Sequence, residues 1–135
     1  MKEITIPAAI GNIAGAVDFV NEALEAVEAG IKAQTQIDVA MDEILSNVAL
    51  YAYPGGAGEV TVRFDFDPAT RVVEITFTDH GIPYNPMEKT DPDVTLPAEE
   101  RMVGGLGIFL VKKTMDAMDY ENRDGMNILR IRKTV

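Results

Sequence analysis

The 135-residue sequence contains no cysteine and only one histidine, His80. Without cysteine, the chain can form no disulfide bond and no thiolate metal site, and it offers no thiol nucleophile. A single histidine excludes a multi-histidine metal site. This composition fits a cytoplasmic protein, and we predict that location.

The chain also has few basic residues and no long apolar run. Its 22 acidic and 12 basic residues give a net charge of −10 at pH 7, which repels nucleic-acid backbones and anionic lipid surfaces. Residues 1–7 lack the apolar core of a signal peptide, and no run approaches the roughly 20 residues that span a bilayer. We therefore predict a soluble protein that binds neither nucleic acid nor membranes. The acidic surface fits either a basic protein partner or simple solubility.

Hydrophobic periodicity predicts a single domain, residues 1–135, with the order β-α-α-β-β-loop-α-β-β. Alternating apolar residues predict strands over residues 2–6, 60–66, 72–77, 118–122 and 126–134, the second and third forming an antiparallel hairpin. Helical spacing predicts one helix from Asn12, as its cap, to a stop at Gly30, a second from about Gln34 to residues 51–53, and a third ending near Asp116. Helices need a sheet on which to bury their apolar stripes. The pattern therefore predicts a two-layer α/β (α+β) sandwich whose mixed or mostly antiparallel sheet carries three helices on one face.

Three of the four residues in Gly104-Gly105-Leu106-Gly107 are glycine, directly before the apolar run 108–113. Glycine permits close approach of the backbone to a ligand, and the free N–H groups of a helix N-terminus attract anions. The pattern fits a phosphate-binding loop or a flexible turn before a buried helix. It matches neither the P-loop sequence nor the dinucleotide fingerprint, since no strand precedes it.

Glu43 and Asn47 are one helical turn apart, so their side chains project in nearly the same direction. We predict that both lie well away from the apolar stripe of Met41, Leu45 and Val48. At this spacing a carboxylate can accept a substrate proton beside an amide oxygen that can bind Mg²⁺. The alternative is an ordinary exposed pair on a helix surface.

Asp79 stands at the exit of the third predicted strand and is followed by His80 and Gly81. Its carboxylate could accept a hydrogen bond from an exocyclic amine, while Gly81 lets a flat ring approach the backbone. The alternative is a turn aspartate that merely ends the strand. His80 is interpreted as a turn residue.

Residues 84–103 show no sustained periodicity and contain prolines and charges of both signs. A loop of this length inside a compact domain is usually a lid, a binding loop or a disordered segment. Both a lid and plain disorder fit the sequence.

Taken together, Glu43-Ile-Leu-Ser-Asn47, Asp79-His-Gly81 and Gly104-Gly105-Leu106-Gly107, in this order and on this element pattern, resemble the N, G1 and G2 boxes of the GHKL ATPases. The resemblance covers almost the whole chain. Within that superfamily, Tyr84-Asn85-Pro86 and the segments 104–113 and 116–120 are similar to the bacterial anti-sigma-factor serine/threonine kinases.

The resemblance implies a Bergerat-type fold that holds Mg·ATP between its helices and an ATP lid, and transfer of the γ-phosphoryl group to a protein serine or threonine. It implies that Glu43 is the catalytic base, that Asn47 binds Mg²⁺ and that Asp79 binds the adenine amine. It places Gly81 beneath the adenine ring and Gly105 and Gly107 at the phosphates, and we predict that Gly104 and Leu106 of the same loop also bind the nucleotide. Phosphoryl transfer needs mainly positioning and charge neutralisation, to which Lys89 or Arg101 could contribute as a lid cation.

Two positions bear on how far the resemblance reaches. Family members often carry a histidine four residues after the Mg²⁺-binding asparagine, where this chain has Tyr51. Asn127 lies in the last strand, where the family often has a polar residue near adenine. It fits either an adenine contact or an ordinary strand asparagine.

The resemblance also implies partners: a sigma factor or another switched client, a STAS-domain anti-anti-sigma factor whose binding releases that client, and a homodimer. An alternative is a nucleotide-dependent binding module that has lost phosphoryl transfer, against which the presence of Glu43 argues. A histidine-kinase catalytic domain is disfavoured, because the chain has neither a helical phospho-acceptor histidine nor an adjoining dimerisation domain.

Overall fold

The computed structural model describes residues 1–85 and 105–135. Its strands are β1 (Lys2–Pro7), β2 (Glu59–Asp67), β3 (Val72–Asp79), β4 (Ala117–Arg123) and β5 (Met126–Thr134). They form one sheet in the order β1-β2-β3-β5-β4, and each neighbouring pair in the described residues is antiparallel. The predicted hairpin and the two C-terminal strands are confirmed.

Three α-helices accompany the sheet: α1 (Ile13–Ala26), α2 (Ile31–Asn47) and α3 (Gly105–Thr114). A 3₁₀ turn, Ile10–Asn12, precedes α1, and a π-helical turn, Val48–Ala52, follows α2. Such π turns are rare and frequently lie at functional sites. None of the helices within residues 1–85 and 105–135 has the length and hydropathy needed to cross a bilayer.

The helices bury their apolar faces on one face of the sheet. Along β2, Val60, Val62 and Phe64 are buried, whereas the intervening Thr61 and Arg63 are not. Successive strand residues point to opposite faces, so the buried set marks the helix-covered face. One hydrophobic cluster joins these side chains to residues of all three helices, which confirms the predicted two-layer sandwich.

The turn between α1 and α2 differs from the sequence prediction. Helix α1 stops at Ala26, because Glu28 takes the left-handed conformation (φ 59°) and the N–H groups of residues 28 and 29 bind carbonyls of the last helical turn. Gly30 is the extended residue that precedes α2. Helix α2 therefore begins at Ile31 and not near Gln34.

Asn12 stands directly before α1 but does not cap it. Its side chain donates to the Pro7 carbonyl oxygen at 3.1 Å, and no side-chain hydrogen bond caps the helix. The 3₁₀ turn leads straight into α1, so the backbone at Asn12 is already near-helical. A capping side chain normally acts from an extended backbone, which explains why this predicted cap was wrong.

Asp116 ties the end of α3 to β5. The Thr134 N–H donates to the Asp116 carboxylate at 2.6 Å, and the Asp116 N–H donates to the Arg132 carbonyl at 2.9 Å. The hydrogen bond from the Thr134 N–H lowers the pKa of Asp116 below its ordinary value of 3.8. This residue was predicted to end the helix, and it lies just beyond the end at Thr114.

Replacing Asp116 with asparagine should lower the free energy of unfolding at pH 7 and flatten its dependence on pH in acid. Because folding lowers this pKa, the stabilisation is complete above pH 3.8 and is lost as the pH falls through the lower folded-state pKa. Urea unfolding of both proteins between pH 7 and pH 2.5 measures this. Asp116→Ala, which also removes the acceptor, should be less stable than Asp116→Asn at pH 7. Parallel acid profiles for wild type and Asp116→Asn would contradict the assignment.

Candidate functional site

A cavity of about 40 Å³ lies between α2, α3 and the ends of β3 and β5. This is room for about three water molecules, well short of the roughly 300–1,000 Å³ of a typical ligand pocket. The cavity is partly open to solvent, so a larger ligand would extend beyond these side chains. The wall is apolar except for a few polar side chains: Asn47, Asp79, Tyr84, Tyr120 and Asn127.

Asp79, the last residue of β3, is 6% exposed and lines this cavity. Its Oδ1 accepts hydrogen bonds from the Gly81 N–H at 2.8 Å and from Asn127 Nδ2 at 2.9 Å. Its Oδ2 accepts none from the described residues. Asp79 therefore closes a turn, as the alternative interpretation stated, and does so through only one of its two oxygens. Its predicted contact with an adenine amine stays a prediction.

Gly81 packs so tightly on the π-helical turn that no side chain fits there. A Cβ at this position would lie 2.3 Å from the Ala52 carbonyl oxygen, and the adjacent Ile82 N–H donates to that same oxygen at 2.9 Å. Backbone cannot yield as a flexible side chain can, so the glycine is required by the fold itself. Its predicted place beneath a flat ring remains a prediction.

Asn127 is 5% exposed and joins three strands and the segment after β3. Its Nδ2 donates to Asp79 Oδ1 at 2.9 Å and to the Ile82 carbonyl oxygen at 2.8 Å. Its Oδ1 accepts from the Tyr120 hydroxyl, from Asn122 Nδ2 at 3.0 Å and from the Tyr84 N–H at 3.4 Å. Both ends of the Asn127 amide are therefore held in a buried hydrogen-bond network, unlike the side chain of an isolated strand asparagine.

Asn47 is 8% exposed and lines the cavity, so it does not lie on an open helix surface. Its position around α2 is well away from the stripe of Met41, Leu45 and Val48, as predicted, yet it is buried, so the alternative of an ordinary exposed pair was wrong for Asn47. Helix α3 packs against α2, and Ile108 of α3 lines the same cavity. Its Nδ2 donates to Glu43 Oε1 at 3.3 Å. Glu43 is only partly buried, so its carboxylate remains within reach of solvent or a ligand.

Gly107 brings α3 against Glu43. A Cβ on Gly107 would lie 2.1 Å from the Glu43 carboxyl carbon. Residues 105–107 form the first turn of α3, so they are helical and not a loop as predicted. The first N–H groups of a helix have no intrahelical acceptor and favour anions. The carboxylate, the amide and the helix N-terminus therefore meet, although phosphate binding there stays a prediction.

Replacing Gly107 with alanine should displace the Glu43 carboxylate without unfolding the protein. The carboxylate ends a flexible side chain and can move, and alanine favours a helix over glycine by up to about 1 kcal/mol. Gly15→Ala is the matched control, since a Cβ on Gly15 in α1 would meet nothing within 4 Å. Both variants should unfold at or above the wild-type temperature, and only Gly107→Ala should lose about tenfold or more of any activity that uses Glu43. Equal activity of both would contradict this placement.

For the remaining predicted residues the structure shows fewer contacts or none. Lys89, Arg101, Gly104 and residues 86–103 of the predicted lid lie outside the described residues, and of Gly105 and Leu106 only the helical backbone is described. His80 is an exposed residue whose N–H donates to the Tyr53 hydroxyl at 2.9 Å, as expected of a turn residue. Tyr51 is 45% exposed, and its ring lies 6.4 Å from that of Tyr84.

Tyr120 and Asn122 were missed as site residues by the sequence prediction. They stand two residues apart on β4 and so share the helix-covered face. The register pairs Asn122 with Asn127, which in turn pairs with Asp79. The sequence did carry a signal for them. Tyr120 and Asn122 are polar and follow Met118 at alternate positions of β4, on the face that the helices cover.

Asn47 fits a magnesium ligand. Within residues 1–85 and 105–135, no three His, Asp or Glu side chains lie close enough together to hold a metal ion. Mg²⁺ usually takes only one or two protein oxygens, with waters and substrate phosphates completing its shell. Because Asn47 Nδ2 is bound to Glu43, its Oδ1 is the atom that remains for a cation.

Curated relatives of this chain are protein kinases. It is 28% identical over 90 residues to the serine/threonine-protein kinase BtrW of Bordetella bronchiseptica, covering 67% of this chain and 63% of BtrW. It is 30% identical over 95 residues to the serine-protein kinase RsbW of Bacillus mycoides, covering 67% and 58%. The chain therefore spans about three fifths of the length of these relatives.

A solved structure and a family model extend the likeness over nearly the whole chain. The histidine kinase domain of the Erythrobacter litoralis blue-light activated kinase superposes with a TM-score of 0.59 at 17% identity, covering 96% of this chain and 61% of that one. At that identity the match supports the fold alone. The sequence model described as "Histidine kinase-like ATPase domain" matches residues 6–133. The protein therefore belongs to the family of histidine kinase-like ATPase domains.

Proposed function

We propose that this protein is an anti-sigma factor and a Mg·ATP-dependent serine/threonine protein kinase whose substrate is a STAS-domain anti-anti-sigma factor. One observation carries the proposal. Glu43 and Asn47 on α2, Asp79 at the end of β3 and Gly107 in α3 come from three distant segments and meet at one end of the sheet. Membership in an ATPase family and the likeness to serine kinases support it.

Asp79 is proposed to bind the adenine amine through Oδ2, which is the carboxylate oxygen with no partner among the described residues. Asn47 would hold Mg²⁺ through Oδ1. The ion supplies charge neutralisation on the transferred phosphoryl group. The first turn of α3 offers backbone N–H groups to the phosphates.

Glu43 is proposed as the base. The acceptor hydroxyl attacks the γ-phosphorus, its proton passes to the Glu43 carboxylate, and ADP leaves with the electrons of the broken P–O bond. The hydrogen bond from Asn47 holds Oε1, so Oε2 is the oxygen that can face the hydroxyl. Phosphoryl transfer depends mainly on positioning and charge stabilisation, and this arrangement supplies both.

The partner proposals rest on the resemblance seen in the sequence, whereas the names of the relatives support the kinase activity. In this proposal a homodimer sequesters a sigma factor, or another switched client, in the cytoplasm. Binding of the STAS-domain protein then releases the client. A non-catalytic binding module is the second candidate, and the held Glu43 carboxylate disfavours it, because a module without transfer needs no base.

Incubation with Mg·ATP and a co-encoded STAS-domain protein tests the proposal, with phosphoserine or phosphothreonine detected by mass spectrometry. We expect one modified residue on the STAS protein, formed only when Mg²⁺ and ATP are both present. Nucleotide binding without any modified residue would favour the binding module. Absence of both binding and modification would refute the proposal.

A further inference from the structure

We propose that Tyr120 and Asn122 of β4 are positioning residues that set base selectivity by locking the Asn127 amide and, through it, the Asp79 carboxylate. The inference rests on the proposed function, in which Asp79 meets the base. It assigns a role to an edge strand that carries none of the predicted site residues. Tyr120 and Asn122 of that strand donate hydrogen bonds to Asn127. Asn127 in turn donates to the Asp79 carboxylate.

The orientation of the Asn127 amide is fixed by backbone groups. The Tyr84 N–H can only donate and lies 3.4 Å from Oδ1, and the Ile82 carbonyl can only accept and lies 2.8 Å from Nδ2. Exchanging the amide oxygen and nitrogen would set donor against donor and acceptor against acceptor. The Tyr120 hydroxyl and Asn122 Nδ2 also donate to Oδ1. Either side chain could serve the opposite orientation too, so the backbone groups set the direction of the amide and β4 holds it in place.

With the Asn127 amide in this orientation, one oxygen of Asp79 is occupied by hydrogen bonds within the protein. With Nδ2 of Asn127 at 2.9 Å and the Gly81 N–H at 2.8 Å, Oδ1 is held by two donors. The carboxylate cannot rotate without breaking both hydrogen bonds. Because the side chain is 6% exposed, water cannot readily replace them. A ligand therefore meets a single free oxygen of the Asp79 carboxylate, Oδ2.

A single free acceptor suits adenine and disfavours guanine. Adenine offers one exocyclic amine, which can donate to Oδ2, whereas guanine offers two adjacent donors, N1–H and the 2-amino group, which match a carboxylate with both oxygens free. The guanine O6 in place of the amine would face Oδ2, acceptor to acceptor. Loosening Asn127 weakens one of the two hydrogen bonds that hold Oδ1. The carboxylate can then turn more easily, and the site becomes more tolerant of guanine.

Tyr120→Phe tests this inference, because it deletes the hydroxyl donor and keeps the ring. Affinities for Mg·ADP and Mg·GDP, measured by calorimetry on the full chain, give the selectivity as a ratio. We expect Tyr120→Phe to reduce the preference for ADP about threefold to tenfold, the effect of one hydrogen bond. Adding Asn122→Ala should reduce it further. The side-chain amide signals of Asn127 in NMR spectra should shift in both variants.

Tyr53→Phe is the matched control. Its hydroxyl bonds to the Glu59 carbonyl and the His80 N–H and not to Asn127, so the ratio should stay at the wild-type value. If Tyr120→Phe weakened both nucleotides by the same factor, or neither, β4 would be only structural and the inference would be wrong. A wild-type protein that bound neither nucleotide would overturn the proposed function as well, which separates the two failures.

Discussion

Asp79→Asn should weaken Mg·ADP binding at least about hundredfold while leaving the fold intact. Asparagine can keep both internal hydrogen bonds, since its Oδ1 can accept from the Gly81 N–H and from Asn127 Nδ2 as Asp79 does. Its Nδ2 would then face the cavity in place of Oδ2. A donor would meet the donating amine of adenine, and a site built for one hydrogen-bond pattern strongly rejects its inverse.

Calorimetric titration of the Asp79→Asn protein with Mg·ADP measures this effect. A second titration with inosine diphosphate tests whether the loss depends on the adenine amine. Hypoxanthine carries an oxygen where adenine carries the amine, so the variant should lose much less affinity for Mg·IDP than for Mg·ADP. Unchanged affinity for Mg·ADP would remove Asp79 from adenine recognition. Equal loss for both nucleotides, with a lowered unfolding temperature, would indicate damage to the fold and would contradict the assignment too.

Glu43→Gln should keep nucleotide binding and lower phosphoryl transfer by about 10² to 10⁴-fold, the range typical of a general base. Glutamine has the same length, and its Oε1 can still accept the hydrogen bond from Asn47 Nδ2. The change therefore removes the proton acceptor with little effect on geometry. Glu43→Ala additionally releases Asn47, so it should also weaken the dependence of binding on Mg²⁺.

Single-turnover transfer to the STAS-domain protein and calorimetry with Mg·ADP separate the two effects. We expect Glu43→Gln to match the wild type in affinity within about threefold, which is no more than one hydrogen bond. Full-rate phosphorylation by this variant would exclude Glu43 as the base. The matched comparison is Gly107→Ala, which displaces the same carboxylate and should lower transfer in the same direction.

The sandwich was predictable because each element carries its own pattern. Alternation along β2 and β3 placed Val62 and Phe77 in the core, and the burial of both confirms it. The boundary at Glu28 was not predictable, since glutamate seldom takes positive φ and Gly30 gave a stronger stop signal. The hydrogen bonds that the N–H groups of Glu28 and Ala29 make to the last turn of α1 outweigh the low preference of glutamate for positive φ.

The site was predictable only where it is local in sequence. Glu43 and Asn47 share a helix turn, and their direct hydrogen bond follows from that spacing. The row of Asp79, Asn127 and Asn122 depends on β5 lying between β3 and β4, which no spacing in the sequence reveals. The contact between Gly107 and Glu43 likewise depends on how α3 packs on α2.

The most direct test of the adenine site is an NMR titration of ¹⁵N-labelled protein with Mg·ADP. We expect the Gly81 backbone amide and the side-chain amides of Asn47 and Asn127 to shift together and to saturate with one affinity. Amides at the opposite end of β3, near Val72, should change little. Saturation with shifts confined to residues outside the cavity, or no saturation at millimolar Mg·ADP, would show that adenine does not bind at Asp79.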